Sequence, residues 1–179
     1  MSVEGFSSAQ EFLDKYEPNR PGCVVLDIGL PGMSGLEFLE KLAARGAPVP
    51  VIVITGFADV RTAVRVMKAR AFDLLQKPVP NDVLLERIRT ALDRDAQTRD
   101  ERARVIAIHS RMDHLTRREH QVMDLVVTGF ANKQIAIRLD LSEKTVESHR
   151  THLMRKIEAD SVAELVRLAM TAQHHREKS

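Results

Sequence analysis

Two kinds of hydrophobic pattern divide the chain. From its start to about Leu92, short apolar runs alternate with longer amphipathic segments. Cys23-Val24-Val25-Leu26 and Val51-Ile52-Val53-Ile54 are unbroken apolar runs bounded by Pro and Gly, as strands buried on both faces of a parallel sheet read. Leu36, Leu39 and Ala43 recur at helical spacing, as do Val60, Ala63, Val64 and Met67, and then Leu84, Ile88 and Leu92. Each set predicts a helix with one apolar face. Strand and helix in alternation predict a parallel sheet carrying helices.

Beyond Asp93 the pattern changes. The stretch to about Asp113 is dense in Asp, Arg, Glu and Ala, with little apolar periodicity before Val105, Ile106 and Ile108, and reads as a helical linker. Four helix patterns follow with no strand signal. Thr116-Arg117-Arg118-Glu119 is a capping box, in which the Thr hydroxyl and the Glu carboxylate satisfy backbone donors reciprocally, and Gly129 stops that helix. Asn132 is placed to cap a short helix bearing Ile135, Ala136 and Leu139. Ser142 caps a third, and Ser161 with Glu164 forms a second box.

The third of these helices, about Glu143 to Ile157, has two unlike faces. Val146, His149 or Arg150, Leu153 and Ile157 form the stripe expected to be buried. Opposite lie Lys144, Glu147 or Ser148, Thr151 and Arg155, residue types that contact phosphates and base edges. A short helix, the break at Asp140-Leu141-Ser142 and this longer helix form a helix-turn-helix, whose second member enters the major groove. Lys144, His149, Arg150, His152, Arg155 and Lys156 would then meet the phosphate backbone. Periodicity alone fits an amphipathic helix with a solvated face equally well.

Composition narrows the class without deciding it. The 179 residues are 44% hydrophobic and 29% charged, with 4% aromatics and no Trp, a soluble protein with an aliphatic core. The longest apolar run, Val49 to Ile54, contains Pro50 and is far short of the ~20 residues that span a bilayer. No signal-peptide pattern opens the chain, so a cytoplasmic protein with no membrane association is expected. The single cysteine, Cys23, reads as a small buried strand residue. Net charge is only +2, but residues 1–110 hold fifteen basic and fifteen acidic residues, whereas residues 111–179 hold twelve and ten, together with six of the seven histidines. That asymmetry points weakly to an anionic partner at the C-terminal end.

Asp27, Thr55 and Lys77 each follow an apolar run, at the carboxyl ends of candidate strands, the edge on which open α/β sheets build their sites. A carboxylate there can attack a phosphoryl group, a hydroxyl can bond one of its oxygens and an ammonium can neutralise it. Taken singly, each is also an ordinary turn, strand exit or loop residue.

Resemblance adds to this reading. Leu115-Thr116-Arg117-Arg118-Glu119, Asn132-Lys133-Gln134-Ile135-Ala136, Leu141-Ser142, Thr145-Val146-Glu147-Ser148-His149-Arg150 and Leu153-Met154-Arg155-Lys156-Ile157 resemble the LuxR-type domain of NarL/FixJ response regulators, end to end and in register. The resemblance implies double-stranded DNA contacts by Lys144, Thr145, Glu147, Ser148, Arg150, Thr151 and Arg155. It also implies a homodimer on DNA, with the last helix, Val162 to Ala172, offering Val162, Leu165 and Val166 to the partner or to its own core.

The N-terminal half resembles a receiver domain, with Asp27-Ile28-Gly29-Leu30-Pro31-Gly32-Met33-Ser34-Gly35 as phosphoacceptor loop and Lys77-Pro78 as the later signature. On that resemblance Asp27 accepts phosphate from a sensor histidine kinase, Thr55 senses it, Lys77 binds it and the Lys77-Pro78 bond is cis. Mg²⁺ would take Asp27 and the Gly29 carbonyl as ligands. Two departures stand out. The opening strand with its paired acidic residues, and the helix after it, are absent, which leaves the metal site poorly supplied with oxygens and predicts a hole in a sheet of order 2-1-3-4-5. Leu74 occupies the position, three before the lysine, where the family usually has an aromatic switch residue. A start assigned too far downstream, a truncated receiver or a divergent one would each account for the missing opening. The preserved register of the phosphate-site residues favours the first.

The expectation is a response regulator and not an enzyme: an α/β receiver-like domain lacking its first strand and helix at 1–95, a helical linker at 96–112 and an all-α LuxR-type helix-turn-helix domain at 113–179. It would regulate transcription within a two-component phosphorelay through Asp27. The alternative is a phosphorylation-independent DNA-binding regulator in which the receiver remnant serves only dimerisation.

Overall fold

The computed structural model describes residues 2–29, 32–57 and 59–176, the last three without their side chains. The chain forms two compact units, Met1–Asp100 and Glu101–Ser179.

The first unit is a three-stranded parallel sheet with helices. Helix α1 (Ala9–Lys15) precedes strand β1 (Val24–Asp27), followed by α2 (Gly35–Ala44), β2 (Val51–Thr55), α3 (Val60–Lys68), β3 (Asp73–Gln76) and α4 (Asn81–Asp113). The sheet order is β1-β2-β3, with Val24 beside Val51 and Ile52 beside Asp73. Strand β1 begins one residue later than the sequence pattern predicts, whereas β2 begins at Val51 as expected. Cys23 lies just before β1 and half-buried, and burial, reinforced by the nearby Asp95 charge, raises its thiol pKa.

Leu13, Leu26, Phe38, Leu39, Leu42, Val51, Val53 and Val66 form the core of this unit. Phe12 meets Phe38 edge to face at 5.5 Å and lies against Tyr16 at 5.5 Å, so a small aromatic group anchors a largely aliphatic core. Helix α2 begins in a capping box between Ser34 and Glu37 that the sequence reading missed. Its buried face is Gly35, Phe38, Leu39 and Leu42, and the expected Ala43 faces solvent. Helix α3 departs further. Its predicted apolar stripe is exposed at Val60 (79%), Val64 and Met67, while Val66, off that stripe, is fully buried. Arg65 and Met67, its neighbours in sequence, are exposed and Ala63 is half-buried, so α3 fully buries a single apolar position and leaves most of its apolar stripe outward.

Among the described residues no hole interrupts the sheet, whose three strands are adjacent. Residues 2–6, which would have to supply the strand beyond the gap, form no regular structure, so β1 is an edge strand. The space lies outside it, as a cavity of about 560 Å³ lined by Phe12, Tyr16, Val24, Val25, Ile88 and Leu92. Helix α4 buries Ala91 and Asp95 on this side. Asp95 accepts a hydrogen bond from the Gly22 amide at 2.9 Å and pairs with Arg99 at 2.9 Å, which satisfies a carboxylate too costly to bury bare. It ties the segment leading into β1 to α4.

Helix α4 runs without a break through residues 96–112 and contributes its last turns to the second unit. That unit adds α5 (Arg117–Val127), α6 (Asn132–Leu139), α7 (Glu143–Ile157) and α8 (Val162–Arg176). Its core gathers Ile108, Met112, Leu115, Val122, Ile135, Val146, Leu153, Ile157 and Leu165. The Thr116–Glu119 capping box is present, and Gly129, at φ 91°, ends α5 in the left-handed region that side chains avoid. Ser142 caps α7 by accepting from the Thr145 amide. At α8, Ser161 accepts from the Glu164 amide, while Glu164 returns its bond to Asp160 instead of Ser161. Leu165 is fully buried, so it closes the core, and Val162 remains exposed.

Candidate phosphoacceptor site and DNA interface

Parallel register sets the first site. Asp27 pairs beside Ile54 and Thr55 beside Gln76, and the Ile28 and Lys77 amides donate to the carbonyls of Ile54 and Thr55 at 3.0 and 2.8 Å. The carboxyl ends of all three strands are thereby level. Lys77 Nζ reaches Asp27 Oδ2 at 2.5 Å, and the Gly29 amide donates to Oδ1 at 2.9 Å. The Lys77 bond first, and the Gly29 bond second, hold the Asp27 carboxyl below the ordinary aspartate range. Both side chains are partly solvent-accessible, which leaves room for a phosphoryl donor. The Lys77–Pro78 bond is cis.

Thr55 is buried, and its hydroxyl is engaged locally: it donates to the Phe57 carbonyl at 3.0 Å and accepts from the Phe57 amide at 3.1 Å. The structure thus brings Asp27 and Lys77 together and places Thr55 at the neighbouring strand end with its hydroxyl turned to its own loop. Leu74 packs against the core cluster. Leu30 and Pro31 of the acceptor loop lie outside the described residues.

Among the described residues, no three His, Cys, Asp or Glu side chains gather as a metal cage, and both Asp27 oxygens already accept hydrogen bonds. One carboxylate and the Gly29 carbonyl fall well short of the roughly six oxygens Mg²⁺ takes. These residues by themselves do not fit a Mg²⁺ site.

The second site is built on α7. Val146, Leu153 and Ile157 are fully buried, while Lys144, Glu147, Ser148, Thr151 and Arg155 are exposed along the opposite face. Thr145 is half-buried, its hydroxyl paired with that of Ser142 at 2.7 Å. Arg150 is half-buried too and donates to Asn132 Oδ1 at 2.7 Å. Asn132 therefore does not cap α6: Ala131 holds the cap position, and its amide is met by Gln134 Oε1 at 3.0 Å. The Asn132 side chain instead joins the two helices of the helix-turn-helix. Asp140 turns the chain between them in the left-handed region, at φ 54°, a conformation Asp tolerates better than most residues.

Sequence reasoning also missed the buried partner of Lys156. Its ammonium reaches Glu119 Oε2 at 2.7 Å, and the same oxygen accepts from the Thr116 amide and hydroxyl. Burial would raise the Glu119 pKa, but these bonds outweigh it and lower it to about 2. The folded value lies below the ordinary 4.5, so the stabilisation is complete above pH 4.5 and is lost as pH falls through about 2. Denaturant midpoints of the helix-turn-helix unit are expected to fall across this window, and to fall less steeply in Glu119→Gln. An equal slope in the two proteins would remove Glu119 from the acid response.

Comparison with known proteins places these features. Residues 1–89 match the response regulator receiver domain, and residues 113–169 match the bacterial regulatory proteins of the luxR family. The chain is 44% identical to the transcriptional regulatory protein FixJ of Azorhizobium caulinodans, over 96% of its own length and 82% of the relative's. It is 41% identical to nodulation protein W of Bradyrhizobium diazoefficiens, over 96% and 75%. Among solved structures, the response regulator StyR superposes with a TM-score of 0.82 at 39% identity, over 92% of this chain and 83% of that one. Full-length FixJ from B. japonicum gives 0.51 at 40% identity, over 94% and 83%.

A receiver domain joined to a LuxR-type helix-turn-helix defines a DNA-binding response regulator, a transcription factor governed by phosphorylation. The chain belongs to the NarL/FixJ family of these two-component regulators. No described helix is long and apolar enough to cross a membrane.

Proposed function

We propose that Asp27 is the phosphoacceptor and that the exposed stripe of α7 reads DNA, with residues 1–95 as receiver, 96–112 as linker and 113–179 as DNA-binding domain. The observation that carries the output half is the separation of faces on α7: three apolar side chains fully buried on one side, and Lys144, Glu147, Ser148, Thr151 and Arg155 exposed on the other. A helix held by one face and polar along the other can enter the major groove without disturbing its own core. Lys144 and Arg155 meet phosphates, and Glu147, Ser148 and Thr151 face base edges. Arg150 and Thr145, held by Asn132 and Ser142, touch DNA at the margin of the stripe.

On the input side, Lys77 neutralises charge arriving on Asp27. Thr55 senses the phosphoryl group by turning its hydroxyl away from Phe57. The phosphoryl source is a sensor histidine kinase. Phosphorylation biases the chain towards a homodimer on DNA, to which the exposed Val60, Val64 and Met67 of α3 and Val162 of α8 offer apolar surface. The protein works in the cytoplasm and carries out no catalysis on a substrate of its own.

The output reading is tested with duplex DNA. Binding weakens linearly on a log-log salt plot, with a slope set by the number of phosphates neutralised. Lys144→Ala is expected to reduce that slope by about one and to weaken binding at all sequences. An unchanged slope and affinity in both Lys144→Ala and Thr151→Ala would remove α7 from the interface.

A further inference from the structure

Among the basic residues of α7, one differs from the rest. Lys144 and Arg155 stand in solvent, whereas the Lys156 ammonium turns inward, to Glu119 Oε2 at 2.7 Å on α5 and to the His114 carbonyl at 3.3 Å just past the end of α4. Glu119 is 3% exposed. Two residues on, Glu158 ends α7 in the left-handed region and pairs with Arg111 of α4 at 2.6 Å. The carboxyl end of α7 is thus fastened to two different elements by charged groups, while its amino end is held by the Ser142 cap and, in the middle, by Arg150 on Asn132.

We propose that Lys156 is a positioning residue for DNA recognition: it makes no phosphate contact and instead fixes the axis of α7 through Glu119. This rests on the reading of α7 as the recognition helix. Lys156 sits about three turns from Lys144, so a small pivot at the fastened end moves the base-reading side chains by a larger distance at the other. An ammonium bonded to a buried carboxylate is also unavailable to DNA, because withdrawing it would leave that carboxylate buried and unpaired. Apolar packing of Leu153 and Ile157 resists separation of the helices but only weakly resists rotation and sliding, since dispersion contacts have no direction. The hydrogen-bonded ion pair does have one.

The test compares two probes, a duplex recovered by selection from a randomised pool with the wild-type chain and a short unselected duplex, across a salt series, with folding checked by circular dichroism. Lys156→Met is expected to lower affinity for the selected duplex about tenfold, the scale of one lost base contact, to bind the unselected duplex unchanged and to keep the wild-type salt slope. Lys156→Arg restores the ratio between the probes. Glu119→Gln/Lys156→Met recovers part of it, because no buried charge is stranded, and this double variant carries the comparison if the single one does not fold. A slope reduced by about one, with equal loss on both probes, would make Lys156 a phosphate contact and overturn the proposal. So would an unchanged ratio with lowered thermal stability, which would leave the pair a purely structural one. Lys144→Ala on the same probes tests the recognition helix separately: if its slope stays at the wild-type value, that reading fails whatever Lys156 does.

Discussion

A chain carrying Asp27→Asn is expected to take up no phosphoryl group from a small acyl phosphate in Mg²⁺-containing buffer, while the wild-type chain gains one, measured by intact mass. The difference is one of chemistry, not of shape. The carboxylate is an anion at neutral pH, which the bonds from Lys77 and Gly29 further favour, and an anionic oxygen is the nucleophile that phosphoryl transfer requires. The amide of Asn keeps the size and the Gly29 bond but loses the charge that attracts Lys77. Uptake by the Asn variant would place the acceptor at another residue. A wild-type chain that gains nothing would leave the Asp27–Lys77 pair as a simple ion pair at a sheet edge.

Leu153→Ala should be the most damaging single change in the helix-turn-helix unit. Leu153 is fully buried at the centre of α7, in one cluster with Val122, Ile135, Val146, Ile157 and Leu165. Truncation removes apolar contact and leaves a cavity, at a cost of about 2–5 kcal/mol. A unit of about 80 residues is stable by only about 4–12 kcal/mol, so the loss is a large share of the total. DNA binding should then decline with the folded fraction as temperature rises. Chemical denaturation followed by helical signal measures it, and a loss under about 1 kcal/mol would mean that α7 does not depend on this side chain for its seat.

What the sequence made legible follows from range. Capping at Thr116 and Ser142, the stop at Gly129 and the two faces of α7 are local patterns, set within a few residues, and the structure has each of them. The apolar runs placed β1 and β2 because buried parallel strands need no polar face. Misreadings came where burial depends on a distant neighbour. Val60, Val64 and Met67 have the spacing of a buried face, yet whether a partner covers them is a tertiary matter. Asn132 sits where a cap belongs, but Arg150, eighteen positions on, claims its side chain. Glu119 was readable as part of a capping box, while its bond to Lys156, thirty-seven positions away, has no trace in periodicity. Asp95, hidden within a charged stretch, became a core residue through a bond to Gly22. At the acceptor edge, sequence order brought Asp27 and Lys77 into view as separate strand exits. Their meeting depended on the sheet register, and the turn of Thr55 towards Phe57 could not be read at all.

The register of that sheet also bears on how the protein is made. Val24 pairs beside Val51 and Ile52 beside Asp73, so each strand pairing closes a loop of more than twenty residues before its hydrogen bonds repay the entropy. The helices α5 to α8 form their backbone bonds within a turn, and local contacts assemble faster than distant ones. On the ribosome the receiver half emerges first, yet it is the slower half to fold. Its strands are therefore unpaired for longest while synthesis continues, the interval in which a chaperone has most to protect.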